Sequence, residues 1–231
     1  MIASVSPDET TTRQGSGKGG NSYVINDYFV DGPQAFLVDF AKANGVIKPH
    51  FHLVDQFQVV VRGGGKLGKT PVGPGTFHFA DAYTPYGPIV AGDQGISFFT
   101  IRAAVDKTPS HYMPESRDEM TRKAGRNIAH QLEEPLYERG VVSTSTLIEP
   151  HEDGLAAYSV AAGPAANFQG VEPCSACGQY YLVMDGEVEF RGKSMPEFSS
   201  LWVDDEQESP TFATGSNAAT LLVLQFPRPR K

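Results

Sequence analysis

Short apolar, β-rich runs of four to seven residues recur along this chain, alternating with polar stretches punctuated by glycine and proline. In the first half such runs fall at residues 35–40, 57–61, 76–80 and 96–102; in the second at 143–148, 156–161, 179–184, 201–204 and 219–225. Many short β-rich runs at this spacing, separated by turn residues, predict an all-β chain of antiparallel strands, closed as a sandwich or barrel. One stretch departs from the pattern. Residues 114–125 open with Pro114, carry Glu115, Asp118 and Glu119 early and Arg122 and Lys123 late, and close on Gly125. That order complements a helix dipole and predicts a short connecting helix. Residues 1–21, rich in Ser, Thr and Gly, predict a flexible N-terminal tail. Gly15-Ser-Gly-Lys18 within it is no phosphate loop, because Gly19 follows Lys18 and no helix begins there.

The runs repeat. Shifted by 123 positions, Gln56-Phe-Gln-Val-Val-Val-Arg-Gly63 meets Gln179-Tyr-Tyr-Leu-Val-Met-Asp-Gly186, and Phe98-Phe99-Thr100-Ile101 meets Leu221-Leu222-Val223-Leu224. Two tandem units follow, expected at 22–112 and 140–231 with a connector at 113–139. A chain of 231 residues is long enough for an apolar core in each.

Composition narrows the partners. A formal net charge of -8, with no basic run longer than two residues, argues against nucleic acid and anionic membrane. No apolar stretch nears the roughly 18 residues that span a bilayer, and the first residues lack the basic-then-apolar order of a secretion signal. A soluble, cytoplasmic protein is expected, with a homodimer as one way to cover sheet faces and edges. The two cysteines, Cys174 and Cys177, sit at a strand entrance with no further Cys or His pair, and are read as ordinary thiols.

The chemistry gathers in the first unit. In His50-Phe51-His52 the alternate residues of an extended segment point the same way, so two imidazoles can serve one metal ion. Gln56 and Gln58 share that parity. At the offset positions the second unit has Pro173, Ser175 and Gln179, with Ser209 in place of Tyr86, so any activity belongs to the first unit. Led by Gly45 and closed by Gly63, the segment resembles the first motif of the cupin superfamily: His-x-His, then a carboxylate, then glycine. Gln56 stands where that family has glutamate. Counting eleven residues from Gly75, the second motif reaches Tyr86, within Thr84-Pro-Tyr-Gly-Pro88, where the family has histidine. The chain as a whole is similar to a bicupin, two double-stranded β-helix barrels in tandem.

The resemblance implies a divalent transition metal, iron, manganese, nickel or zinc, on His50, His52, Gln56 and Tyr86. Ionised Tyr86 would then supply the missing negative charge. Tyr86 and His78, the latter a displaced third imidazole, are the catalytic candidates. Gln58, Phe51, Phe77 and Tyr83 are the candidates for contact with a small, partly apolar substrate, in a pocket to which Phe57 and Phe79 also belong. Dioxygenase, isomerase or lyase chemistry would fit such a site, and so would ligand binding without metal or turnover; a purely structural role is the third reading. Asp55, Arg62 and Arg102 lie near strand ends, where any could orient an anionic substrate, and are read in the first place as solvated. His111, His130 and His151 receive no role.

Overall fold

The computed structural model describes residues 2–16, 22–27, 32–108, 110–173, 178–204 and 206–229. They form twenty strands and two single 3-10 turns. The strands in chain order are β1 (Ile2–Val5), β2 (Thr11–Ser16), β3 (Ser22–Asp27), β4 (Gln34–Phe40), β5 (Val46–Ile47), β6 (His50–Phe51) and β7 (Gln56–Leu67). There follow β8 (Thr70–Val72), β9 (Thr76–Ala80), β10 (Ile89–Arg102), β11 (His111–Tyr112), β12 (Asn127–Gln131) and β13 (Val142–Ile148). The last are β14 (Ala156–Ala162), β15 (Asn167–Gln169), β16 (Gln179–Phe190), β17 (Lys193–Pro196), β18 (Ser200–Val203), β19 (Thr211–Ala213) and β20 (Ala219–Gln225).

The chain divides into two compact units, Thr11–Gln131 and Met1–Thr10 with Leu132–Lys231. In the first, the strands run β12-β9-β7-β10-β4-β3-β2; in the second, β1-β18-β16-β20-β14-β13. The run β9-β7-β10-β4-β3 in one is the run β18-β16-β20-β14-β13 in the other. The 123-residue repeat is thus a repeat of topology, two tandem barrels of one plan. It is not gap-free throughout. Phe98 pairs Val38 and Leu221 pairs Val160, so the offset at that strand is one residue shorter.

Strands β7 and β10 are long, twelve and fourteen residues, because each bends to serve two layers. β7 pairs β9 through Gln56–Val59, then β8 through Gly65–Leu67, and the bend falls at Gly63-Gly64-Gly65. Gly63 has φ +65, and a Cβ on Gly65 would lie 1.9 Å from the Val90 carbonyl oxygen. Gly65→Ala therefore forces β7 and β10 apart at their tightest approach. A loss of about 3 kcal/mol or more in urea unfolding, or no folded protein, is the expected result; a midpoint near wild type would mean that the approach relaxes freely.

Two expectations fail for a common reason. Part of the supposed tail is strand: Ile2–Val5 pairs Ser200–Val203, and Thr11–Ser16 pairs Ser22–Asp27. β1 and β12 each lie along the outer edge of the β18 and β9 ladder, where open N–H and C=O groups would otherwise remain. Met1 and residues 17–21 lie outside the described residues. The helix expected at 114–125 is one 3-10 turn, Arg117–Glu119, with no buried residue. Charge order alone cannot hold a helix that has no apolar stripe to bury. The 113–139 connector instead contributes β12 to the first unit. No helix of the described residues is long and apolar enough to cross a membrane.

Candidate functional site

Tyr86 is fixed beside His50 by two backbone hydrogen bonds, His50 N to Tyr86 O (3.1 Å) and Tyr86 N to His50 O (3.0 Å). Alternation then places His50 and His52 together, ring centroids 5.3 Å apart, and turns Phe51 away, stacked on His111 and Tyr83. On β7, Gln56 and Gln58 face the same side. Directly opposite Gln58 stand His78 on β9 and Thr100 on β10. All of these are buried.

Hydrogen-bond directions follow from groups that can act in one way only. The Lys48 carbonyl accepts, so His50 donates through Nδ1 (2.8 Å) and offers its Nε2 lone pair to the Tyr86 hydroxyl (2.8 Å). The Tyr86 oxygen accepts from Gln56 Nε2 (2.5 Å), and Gln56 Oε1 accepts from Arg102 Nε (3.2 Å) and Nη2 (3.1 Å). The Asp106 carboxylate accepts, so His52 donates through Nδ1 (2.9 Å), while Arg102 Nη2 lies almost equally far from both ring nitrogens (3.2 and 3.3 Å) and so rests over the imidazole face. Arg102 thus starts one directed chain, through Gln56 and Tyr86 to His50, and covers the ring that donates to Asp106. Gln34 Oε1 holds both ends, accepting from Arg102 Nη1 (3.3 Å) and the Asp106 amide (3.0 Å).

Burial keeps the imidazoles neutral. Desolvation lowers His50 to about 4, helped by the nearby His52 and Arg102, and lowers His78 to about 4; His52 is lowered for the same reason. Desolvation also pushes the Tyr86 phenol above its ordinary value, so it is a neutral hydroxyl here. For Asp106 burial opposes ionisation, but the bonds from His52 and Thr108 outweigh it and hold the carboxyl below the usual range. Arg102 is 5 % exposed, and its nearest carboxylate oxygen, on Asp106, is 3.9 Å away.

The sequence candidates divide by face. His50, His52, Gln56, Tyr86, Gln58 and His78 come together. Phe77 does not: on β9 it alternates with His78 and lies opposite Val59, its ring against His130. Phe57 and Phe79 pack on each other on that same far face (4.8 Å), and Phe51 and Tyr83 stack away from the imidazoles. These aromatics fill core rather than line the site, because strand alternation sends odd and even positions to opposite faces. Asp55 caps the Ala82 amide. Arg102, expected in solvent, is the buried hub, and Asp106 went unnoticed. The one local signal for Asp106 is its bond to the Thr108 amide and hydroxyl, the turn that an Asp followed by Thr two residues on favours. Cys174, Ser175 and Cys177 lie outside the described residues.

This donor set does not fit the divalent ion that the fold suggests. His50 has spent its one lone pair on Tyr86, a guanidinium covers His52 and faces Gln56 Oε1, and Tyr86 is neutral. No cluster of three or more His, Cys, Asp or Glu side chains suited to a metal occurs among the described residues.

Two tandem barrels of this topology are the bicupin fold. Solved structures of that fold match over nearly the whole chain. One is a proposed dioxygenase from Nostoc punctiforme PCC 73102, 12% identical, covering 100% of this chain and 84% of that one at TM-score 0.67. The oxalate decarboxylase of Bacillus subtilis, described with Mn(II) centres, is 11% identical and covers 98% and 78% at 0.63. The pirin YhhW of Escherichia coli in complex with nickel(II) is 12% identical and covers 99% and 100% at 0.56. No protein-family model matches the chain, and no curated protein does.

Proposed function

We propose that this bicupin binds a small polar molecule inside its first barrel, and that the second barrel is a packed scaffold. One rung of the repeated sheet carries the reading. In the first barrel the rung is His78–Gln58–Thr100; in the second the same positions hold Leu201–Tyr181–Val223. The second set belongs to a continuous apolar cluster, with the Tyr181 hydroxyl tied to the Val171 carbonyl and to Gln179. In the first set His78 Nε2 bonds Asn127, but its buried Nδ1 has no partner. Unmet buried polar groups cost about 1–3 kcal/mol each unless something bonds them. A ligand with its own donors and acceptors does so.

The metal enzymes of the same fold motivate a second reading, a divalent ion on His50, His52, Gln56 and Tyr86 with oxidative, isomerase or lyase chemistry. The hydrogen-bond directions above weigh against it, and ligand binding without turnover needs no anionic donor.

The test is a screen of small carboxylic acids, sugars and phenols against the purified chain by ligand-observed NMR. Gln58→Tyr, which copies the second barrel, should weaken any hit at least tenfold while leaving the fold intact. Equal binding by wild type and variant would place the ligand elsewhere.

A further inference from the structure

Resting on the first-barrel site just proposed, a further step concerns its charge and ligand class. We infer that Arg102 is the site's built-in cation: its guanidinium stands in for a metal ion, and the ligand it receives is a small hydroxycarboxylate.

The second barrel shows what the position needs for folding alone. Gln225 occupies the place of Arg102, and Gln179 Nε2 donates to Gln225 Oε1 (2.9 Å), while the Gln225 amide donates on to the Gly154 carbonyl (2.5 Å). Two neutral amides close that end of the sheet. The first barrel instead buries a permanent positive charge, which costs several kcal/mol to desolvate, and its counter-ion Asp106 makes no hydrogen bond to it. Asp106, at 3.9 Å, is already bonded to His52 and Thr108. Of the five guanidinium N–H groups, those on Nε and Nη2 meet Gln56 and His52, and one on Nη1 meets Gln34. One Nη1 N–H is left over, on a cation suited to a carboxylate.

Two residues further along the same face, roughly 7 Å by strand geometry, lies the unmet rung. His78 donates through Nε2 to the Asn127 oxygen, so its orphan Nδ1 is a lone pair that accepts from a hydroxyl. The Gln58 amide beside it can donate to a carboxylate oxygen. A carboxylate toward Arg102 and a hydroxyl toward His78, within one strand repeat, describe a short hydroxy acid such as malate or lactate.

The experiment uses the full chain with 15N-labelled arginine side chains, stripped with EDTA. Malate should shift the Arg102 Nε–H resonance saturably at millimolar concentration, its neutral diamide should not, and added Mn(II) or Ni(II) should change neither result. Arg102→Gln, which copies the second barrel, should weaken malate about 30-fold or more. By freeing Gln56 Oε1 and removing the cation over the His52 ring it should also gain Ni(II) binding in calorimetry. Malate binding that vanishes in EDTA and returns with Mn(II) would overturn the arginine assignment yet keep the site. No malate response with or without metal would overturn the ligand class, whereas Gln58→Tyr binding every screened hit as wild type does would remove the site itself. Should the Arg102 variant fail to fold, the wild-type EDTA and metal arms decide alone.

Discussion

Lowering the pH from 7.5 to 4.5 should remove about 5 kcal/mol of folding stability, a large part of what a typical domain has. The cause is the pair of buried imidazoles His50 and His78, each lowered from 6.5 to about 4 by desolvation first. Between those values the unfolded chain binds protons that the folded chain refuses. Stability is therefore whole above about pH 6.5 and falls as the pH drops toward 4, by about 2.5 kcal/mol per imidazole at pH 4.5. His52, lowered for the same reason, adds in the same direction. Asp106 acts in a separate window: its depressed carboxyl stabilises above its ordinary range and loses that contribution only at lower pH. Urea unfolding at pH 7.5, 6.0 and 4.5 reads the slope. His78→Leu, the residue of the second barrel, should remove roughly a third to a half of it. A midpoint independent of pH across that range would mean the imidazoles are solvated.

Asp106→Ala should cost about 3–5 kcal/mol at pH 7.5, as expected when a buried ion loses its counter-charge. The substitution strips the acceptor of His52 Nδ1, both bonds from Thr108 and the carboxylate nearest Arg102. The side chain is 2 % exposed, so water does not replace them. Asp106→Asn keeps an oxygen for Thr108 but not the charge, and should fall between the two. With its acceptor gone, His52 is free to exchange tautomer. A change below about 1 kcal/mol for Asp106→Ala would show that Arg102 needs no counter-ion.

Much of the fold was legible in the chain. Residues 76–80 and 219–225 are strands at the expected bounds, and the 123-residue offset returned as matching strand orders. These segments are short β-rich runs buried on both faces and bounded by turn residues, which is what made them legible. Two of the misplaced elements, β1 and β12, pair with strands far along the chain. β1 pairs a strand some two hundred residues away, and nothing in Ile-Ala-Ser-Val announces that. The weak helix lost to a turn because its only argument was local.

In the site, the same distinction holds. The cupin-like spacing brought His50, His52, Gln56 and Tyr86 to one place, and parity added Gln58. It also misassigned Phe51 and Phe77, whose parity relative to His52 and His78 sends them to the other face. Arg102 read as solvated because a cation at a strand end usually is.

By itself the sequence determined two tandem β units and which unit bears the polar side chains, since alternation, turn residues and a repeat are properties of neighbours along the chain. Only the tertiary structure decided which way each hydrogen bond runs. Gln34, Gln56 and the Arg102–Asp106 segment come from three separate places in the chain, and where a buried charge finds its acceptors depends on strand pairing, which short-range pattern does not encode.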